Sequence, residues 1–209
     1  MKTVKFILVV LFAFVNINAI GQSVFVKGGL SFARVSYTNN ELNDDLNGRK
    51  PKLGGHLGVA YEKKLSDAFF IEFAPMIHWK GVTEVKGVFY GDGLDMIYLD
   101  IPILLKGYFE LNDNILIYNA FGPYVGFGLK GWKSDRNLIW GNDSDADFER
   151  SDFGFSLGVG LSFKRMQLGF AYDHSLLNIN TSQGWYKYKH RVARVSLSYQ
   201  LRKKERGKG

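Results

Sequence analysis

The 209-residue chain contains no cysteine and only 4 prolines. The first absence removes the disulfide framework, the thiolate zinc site, the iron–sulfur cluster and the cysteine nucleophile together. Long apolar runs are scarce too. Beyond residue 22 no stretch approaches the roughly 20 apolar residues that a spanning helix needs. Disorder is excluded by composition: 46% hydrophobic against 22% charged residues is enough apolar surface to offset the entropy of folding. In ample supply are glycine (24), aromatic residues (15%) and positive charge, the formal net charge being +7. A basic balance is the ordinary mark of a partner such as nucleic acid or anionic lipid.

Residues 1–21 have the pattern of a secretory signal. Lys2 and Lys5 form a positive start, 6–15 is an apolar run, and Ala19-Ile20-Gly21 places small residues where a signal peptidase reads them. Cleavage before Gln22, or alternatively after Ala19, is expected, and a run this short does not make a membrane anchor. No cysteine follows, which excludes lipoprotein processing.

From Gln22 onward the dominant signal is a period of two. Leu53, Leu57, Val59 and Tyr61 alternate with Gly54, His56, Gly58, Ala60 and Glu62. The same period runs through Phe69, Ile71, Phe73, Ile77, Trp79, through Ile97, Leu99, Ile101, Ile103, Leu105, and through Phe153, Phe155, Leu157, Val159, Leu161, Phe163. Alternation of this kind is a strand signature. Eight such segments are predicted, at 24–35, 52–63, 68–80, 96–109, 115–129, 152–164, 166–178 and 188–201. Each reaches the roughly 9 to 11 residues with which a tilted strand crosses a bilayer, well beyond the usual ~5 to 6 of a soluble strand.

The connections alternate as well. Those at 36–51, 81–95, 130–151 and 179–187 are long and polar, whereas 64–67, 110–114 and 164–165 are short. The pattern predicts an all-β fold: an eight-stranded antiparallel up-and-down transmembrane β-barrel with short periplasmic turns and long outer loops. The domain organisation follows as a signal at 1–21, a bacterial outer-membrane barrel at 22–201 and a basic periplasmic tail at 202–209. Loss of Lys2 and Lys5 with the signal removes two units of the +7 and the tail carries four, so 22–201 is left at only +1. The basic composition is therefore no argument for nucleic acid.

With the apolar set facing lipid, the inward set includes Lys27, His56, Glu62, Glu72, His78, Asp100, Lys106, Asp173 and Arg194. An ion without a partner in so narrow an interior costs several kcal/mol, so a charge network is expected, most simply Glu62, Glu72 and Asp100 against Lys106 and Arg194. It serves either as a plug or as a proton or ion path. Trp79, Trp132, Trp140 and Trp185 all fall at the end of an upward strand or in the loop after it, where an outer aromatic girdle is expected. On the fifth strand Asn119 falls among lipid-facing positions, and Pro123 is a candidate for a bulge that shifts the register.

Several motifs resemble sites. Gly126-Phe127-Gly128-Leu129-Lys130-Gly131 has the G-x-G-x-x-G letters but no helix to follow, which makes these barrel glycines. Asp143, Asp145 and Asp147, followed by Glu149, offer oxygen ligands for a divalent cation. The EF-hand frame is absent, because Phe148 and Gly154 stand where Gly and Glu are needed. His174 and Ser175, next to Asp173, invite a hydrolase reading, but neighbours on a strand point to opposite faces. Gly154-Phe155-Ser156-Leu157-Gly158 has the letters of a nucleophile elbow inside a strand. No catalytic set and no cofactor is expected, and the chain is read as a non-enzyme. Arg34, Arg49, Lys50, Lys52, Lys80, Lys86, Lys130, Lys133, Arg136, Lys187, Lys189 and Arg191 are placed at or above the outer rim, where the phosphates of outer-membrane lipid and lipopolysaccharide are natural counter-ions.

The segment Tyr98-Leu99-Asp100-Ile101-Pro102-Ile103-Leu104-Leu105-Lys106 resembles the fourth strand of the porin-family, PorT-like outer-membrane barrels of Bacteroidetes. Asp152-Phe153-Gly154, Tyr172-Asp173-His174-Ser175-Leu176-Leu177-Asn178 and Arg191-Val192-Ala193-Arg194-Val195-Ser196-Leu197-Ser198-Tyr199 are similar to later strands of that family, so the resemblance spans nearly all of 22–201. It implies an outer-membrane barrel with a structural or interaction role through its extracellular loops, with a protein partner there. The alternatives are a narrow channel or a component of type IX-like protein secretion, and a lipid-modifying enzyme. Such barrels often end on an aromatic residue that assembly machinery reads. Here Leu201 is followed by 202–209, and Tyr199 is the nearest substitute.

Overall fold

The computed structural model describes residues 22–39, 51–83, 93–133, 136–141, 146–179 and 186–202. Among the described residues are ten strand segments: β1 (Gln22–Asn39), β2 (Lys52–Lys64), β3 (Phe69–Phe73), β4 (Met76–Val82), β5 (Leu94–Asn112), β6 (Ile115–Lys133), β7 (Arg136–Asn137), β8 (Ser151–Phe163), β9 (Met166–Ser175) and β10 (Tyr186–Arg202). They form eight staves. β3 and β4 are two halves of one, and β7 is a two-residue extension beside the outer end of β6.

Each stave pairs antiparallel with its neighbours in the chain, and the ring closes where β1 meets β10 over Val24 to Asn39. Closure is what lipid demands. With no water to bond an exposed N–H or C=O, a sheet edge in the hydrocarbon would cost several kcal/mol for each group left alone. The expected strand positions are those observed, and the ends run further: β1 reaches Asn39, β5 starts at Leu94 and β6 continues to Lys133. The seventh stave is shorter than its apolar pattern implied and stops at Ser175.

Alternation decides which face each residue takes. Along β8, Asp152, Gly154, Ser156 and Gly158 are buried, while Phe155, Leu157, Val159 and Leu161 are exposed on the outer surface. Exposed leucines, valines and phenylalanines circle the ring in this way, the reverse of a soluble protein. The break between β3 and β4 follows from Pro75, which has no N–H for the ladder. Its carbonyl still accepts from the Val59 amide at 3.1 Å, and the Ala74 amide donates to the Pro102 carbonyl at 3.1 Å. Ala74 and Met76 both remain inward, so the stave keeps its parity across the proline.

Pro123 does not shift the register. From Tyr118 to Gly128 buried and outward residues alternate without interruption, and Pro123 simply faces out. An irregularity does occur nearer the outer end, where Ile97 pairs with Lys130 and Tyr98 with Gly128, leaving Leu129 as the extra residue of a bulge. Asn119 is on the lipid face as its parity requires, and its Oδ1 accepts a hydrogen bond from the Gly107 amide opposite at 3.1 Å. The polar side chain is thus satisfied by the ladder instead of by water.

Leu197 lies opposite Gly28 and Leu168 near the middle of the outward apolar band. Leu197→Arg should destabilise the bilayer-inserted protein by about 2–4 kcal/mol, as measured by denaturant unfolding in lipid. Leu201→Arg, at the end of the same stave, should cost less than about 1 kcal/mol.

Candidate functional site

The interior is filled by three tiers of charge. In the periplasmic tier the Lys106 ammonium contacts a carboxylate oxygen of Glu62 and donates to Glu72 at 3.0 Å and to Gln167 Oε1 at 3.1 Å. Lys27 donates to the other oxygen of Glu72 at 2.7 Å, and the Tyr108 hydroxyl donates to Glu62 at 3.1 Å. The Tyr118 ring lies 4.2 Å from the Lys106 nitrogen, within cation–π range. Glu62, Glu72 and Lys106 are each less than 4% exposed.

In the middle tier Arg194 lies against Asp173, with contacts of 2.7 and 2.8 Å, and reaches Ser156 Oγ at 3.3 Å. His56 Nε2 lies 2.8 Å from Ser196 Oγ. The outer tier is built on Asp100, which accepts from Lys80 at 2.9 Å and lies 2.8 Å from His78 Nδ1. Lys80 also stands 3.7 Å from Asp152, whose carboxylate accepts from Ser175 at 2.5 Å and from the Tyr124 hydroxyl at 3.2 Å.

All six residues expected in the interior network face the lumen, but Asp100 and Arg194 pair differently from the simplest arrangement. Asp100 belongs to the outer tier with Lys80 and His78, and Arg194 takes Asp173. Lys80 itself is the larger correction. Its stave runs on to Val82, so its even-numbered position continues the inward row of Met76 and His78, and it is 1% exposed instead of standing at the rim. Asp152, Gln167, Ser175 and His190 also face the interior, and parity with Ser156, Gly169, Asp173 and Arg194 marks all four.

Above the outer tier the mouth is closed by an apolar cap of Val82, Leu94, Met96, Tyr98, Leu138 and Ile179, against which Trp140, Phe148 and Tyr188 pack. Trp140 is a second correction. It does not join a lipid-facing girdle but turns inward, edge-on to Tyr98 at 5.8 Å. The glycines of the G-x-G-x-x-G letters make the room: a Cβ at Gly128 would lie 2.6 Å from the Trp140 ring, and one at Gly131 would lie 2.5 Å from Leu138. Trp79 does face outward, its indole N–H donating to Asp95 at 2.7 Å, and Trp132 stands opposite Asp95 on the same face. Trp185 lies outside the described residues.

Of the acidic loop, Asp143 and Asp145 are outside the described residues, and Asp147 is engaged by Arg136 through two hydrogen bonds of 2.6 and 2.8 Å. The Asp147 carboxylate also accepts from the Ile139 amide at 2.8 Å. No cluster with metal-holding geometry occurs among the described residues. Ser175 points inward to Asp152 while His174 is exposed on the opposite face, so the two do not meet. Lys52 pairs with Asp95 at 2.7 Å at the rim.

A cavity in the lumen, beside Lys27, Glu72, Lys106 and Arg194, has a volume of about 20 Å³. That is room for about one water molecule and not for a path.

A sequence model for the outer membrane protein beta-barrel domain matches residues 7–200. The chain belongs to that family. Solved structures with the same fold include the Neisserial surface protein A (9% identity over 87% of this chain and 100% of that one, TM-score 0.50). Weaker likeness is found to OprG of Pseudomonas aeruginosa (15%, 88% and 97%, TM-score 0.47) and to the attachment invasion locus protein Ail of Yersinia pestis (14%, 87% and 100%, TM-score 0.43). No curated protein matches the sequence. The family is one of bacterial outer-membrane barrels, and this chain is one by membership and by its closed, outwardly apolar ring.

Two predictions follow from the network and the mouth. Lys106→Met leaves Glu62 and Glu72 without their shared cation and should cost about 3–5 kcal/mol in denaturant unfolding, whereas Lys106→Met with Glu62→Gln and Glu72→Gln should recover much of it. At the mouth, Arg136 holds the Asp147 carboxyl below the usual carboxylate range through their hydrogen bonds. A depressed value stabilises the loop above the ordinary carboxylate pKa, and that contribution is lost as pH falls through the depressed value. Trp140 emission should therefore shift on acidification, and Asp147→Asn should show the shifted spectrum already at neutral pH.

Proposed function

We propose that this outer-membrane barrel is a structural or interaction protein that works through its outer loops and outer rim, and not through its lumen. The observation that carries the reading is the filled interior: three tiers of ion-paired side chains, an apolar cap and a residual cavity of about 20 Å³. Energy is invested in holding the ring shut, since each buried ion there would cost several kcal/mol without its partner. The partners are a protein that meets the extracellular loops and the phosphates of lipopolysaccharide and other outer-membrane lipid that meet the basic rim. Residues 1–21 act as a cleaved signal, and 202–209 as a periplasmic tail.

A channel is the first rival, and the same filling weighs against it. Likeness to PorT-like barrels of Bacteroidetes keeps a part in type IX-like secretion as a second reading, in which the loops dock a secretion partner. What weighs against a lipid-modifying enzyme is that Ser175 is buried with Asp152 while His174 faces lipid.

Reconstituted in planar bilayers, the protein should be electrically silent, and Arg194→Ala, which removes the cation of the middle tier, should introduce small conducting events. Steady conductance of the unmodified protein would overturn the closed-lumen reading. A photo-crosslinker at Ile139, exposed in the loop after β7, should capture a protein in intact membranes, while one at Leu65 in a periplasmic turn should not yield the same product.

A further inference from the structure

The lipid face of three adjacent staves carries a row of basic side chains that the lumen does not explain. Arg34 on β1 stands directly opposite Arg191 on β10, and Arg191 directly opposite His174 on β9. Lys189 is the next outward position along β10, opposite Ser36. Arg34 and His174 are exposed, and Arg191 and Lys189 are half-buried. All lie on the outer surface, since their chain neighbours Ala33, Asp173, His190 and Val192 are buried inside.

Residues directly opposite across an antiparallel pair have Cβ atoms about 4.5–5.5 Å apart, where like charges destabilise the sheet. Among the described residues no carboxylate forms an ion pair with Arg34, His174, Lys189 or Arg191. Arg191 is nonetheless held in place. Its Nη1 donates to the Ser175 carbonyl at 2.7 Å and to its own neighbour's carbonyl, that of His190, at 2.9 Å. The remaining guanidinium donors are left for a partner from outside, and a guanidinium fork fits the oxygens of a phosphate group.

The depth of the row identifies the source of that phosphate. One pleat toward the periplasm lie Phe32, Ala193 and Tyr172, and one pleat further Leu30, Val195 and Phe170, an unbroken apolar face. From Leu201 up to Ala193 that face has the length of about 9 to 11 residues that spans the hydrocarbon, so the row sits at its outer boundary. A headgroup there presents its phosphate to Arg34, Arg191 and Lys189, with the His174 imidazole beside them, while its acyl chains lie on the apolar face below.

We propose that Arg34, Arg191, His174 and Lys189 form a binding site for the phosphate of an outer-leaflet glycolipid. The site rests on the reading that the basic rim meets lipopolysaccharide, and it names where. Native mass spectrometry of the full chain, folded in detergent and titrated with phosphorylated lipid A, tests it. The unmodified protein should retain the lipid, and Arg34→Gln with Arg191→Gln should weaken retention at least tenfold. Lys63→Gln, an outward cation at the periplasmic end of β2, should leave retention unchanged. Should the double glutamine variant lack heat-modifiable migration on gels, His174→Gln with Lys189→Gln provides the same readout, with a severalfold loss expected. Equal retention by a folded variant, equal binding of dephosphorylated lipid A, or displacement by equimolar inorganic phosphate would each overturn the site. If the unmodified protein retains no lipid A at all, the broader lipopolysaccharide reading of the rim falls with it.

Discussion

Hydrogen-bond closure of the backbone in a medium without water is the constraint on which everything else in this molecule depends. It forces the sheet into a ring, and the ring forces the period of two to divide every stave between a lipid face and a lumen face. Eight staves leave an interior just wide enough for side chains. Inward lysines, arginines and carboxylates then have no solvent to turn to and must find one another across the ring. Lys106 joins carboxylates from β2 and β3 to the amide of Gln167 on β9, and Lys80 brings together Asp100 of β5 and Asp152 of β8. The network is a consequence of closure and also its reinforcement.

The parity of a strand is the most legible thing in such a sequence, because it is enforced by two solvents at once. Stave number, direction and the inward placement of Glu62, Glu72, Lys106 and Arg194 all follow from it. Pairing within the lumen was less legible, since which cation meets which carboxylate depends on stagger between staves and not on parity. The inward place of Lys80 is hard to read because the end of a strand is where alternation fades into loop composition. That of Trp140 is hard to read for a related reason. A tryptophan in a polar loop suggests an interface, and only the placement of Gly128 and Gly131 beneath it reveals that the ring has somewhere inside to go.

The two ends of the barrel solve the same problem by different chemistry. Toward the periplasm the lumen is closed by ions and tyrosines, whereas at the outer mouth it is closed by an apolar cap drawn partly from the loops. The Glu149 amide donates to the Ile179 carbonyl and the Ile179 amide to that of Tyr188, so the cap segments are tied to one another by backbone hydrogen bonds. The base of the extracellular surface is therefore tied together beneath the loops. Whatever those loops meet is presented on a firm platform.

The seam between β1 and β10 carries a further consequence, for the order of events in assembly. The first stave finds its second partner only in the last, at the far end of the chain, and lumen contacts such as Arg194 with Met76 and Lys106 with Gln167 likewise bridge 118 and 61 residues. Contacts of long sequence separation repay the cost of loop closure only late. Such separations favour late closure of the ring, after the neighbouring staves have paired. A chain that ends before β10 would leave β1 as an open edge, competent to pair with the edge of another chain instead of its own.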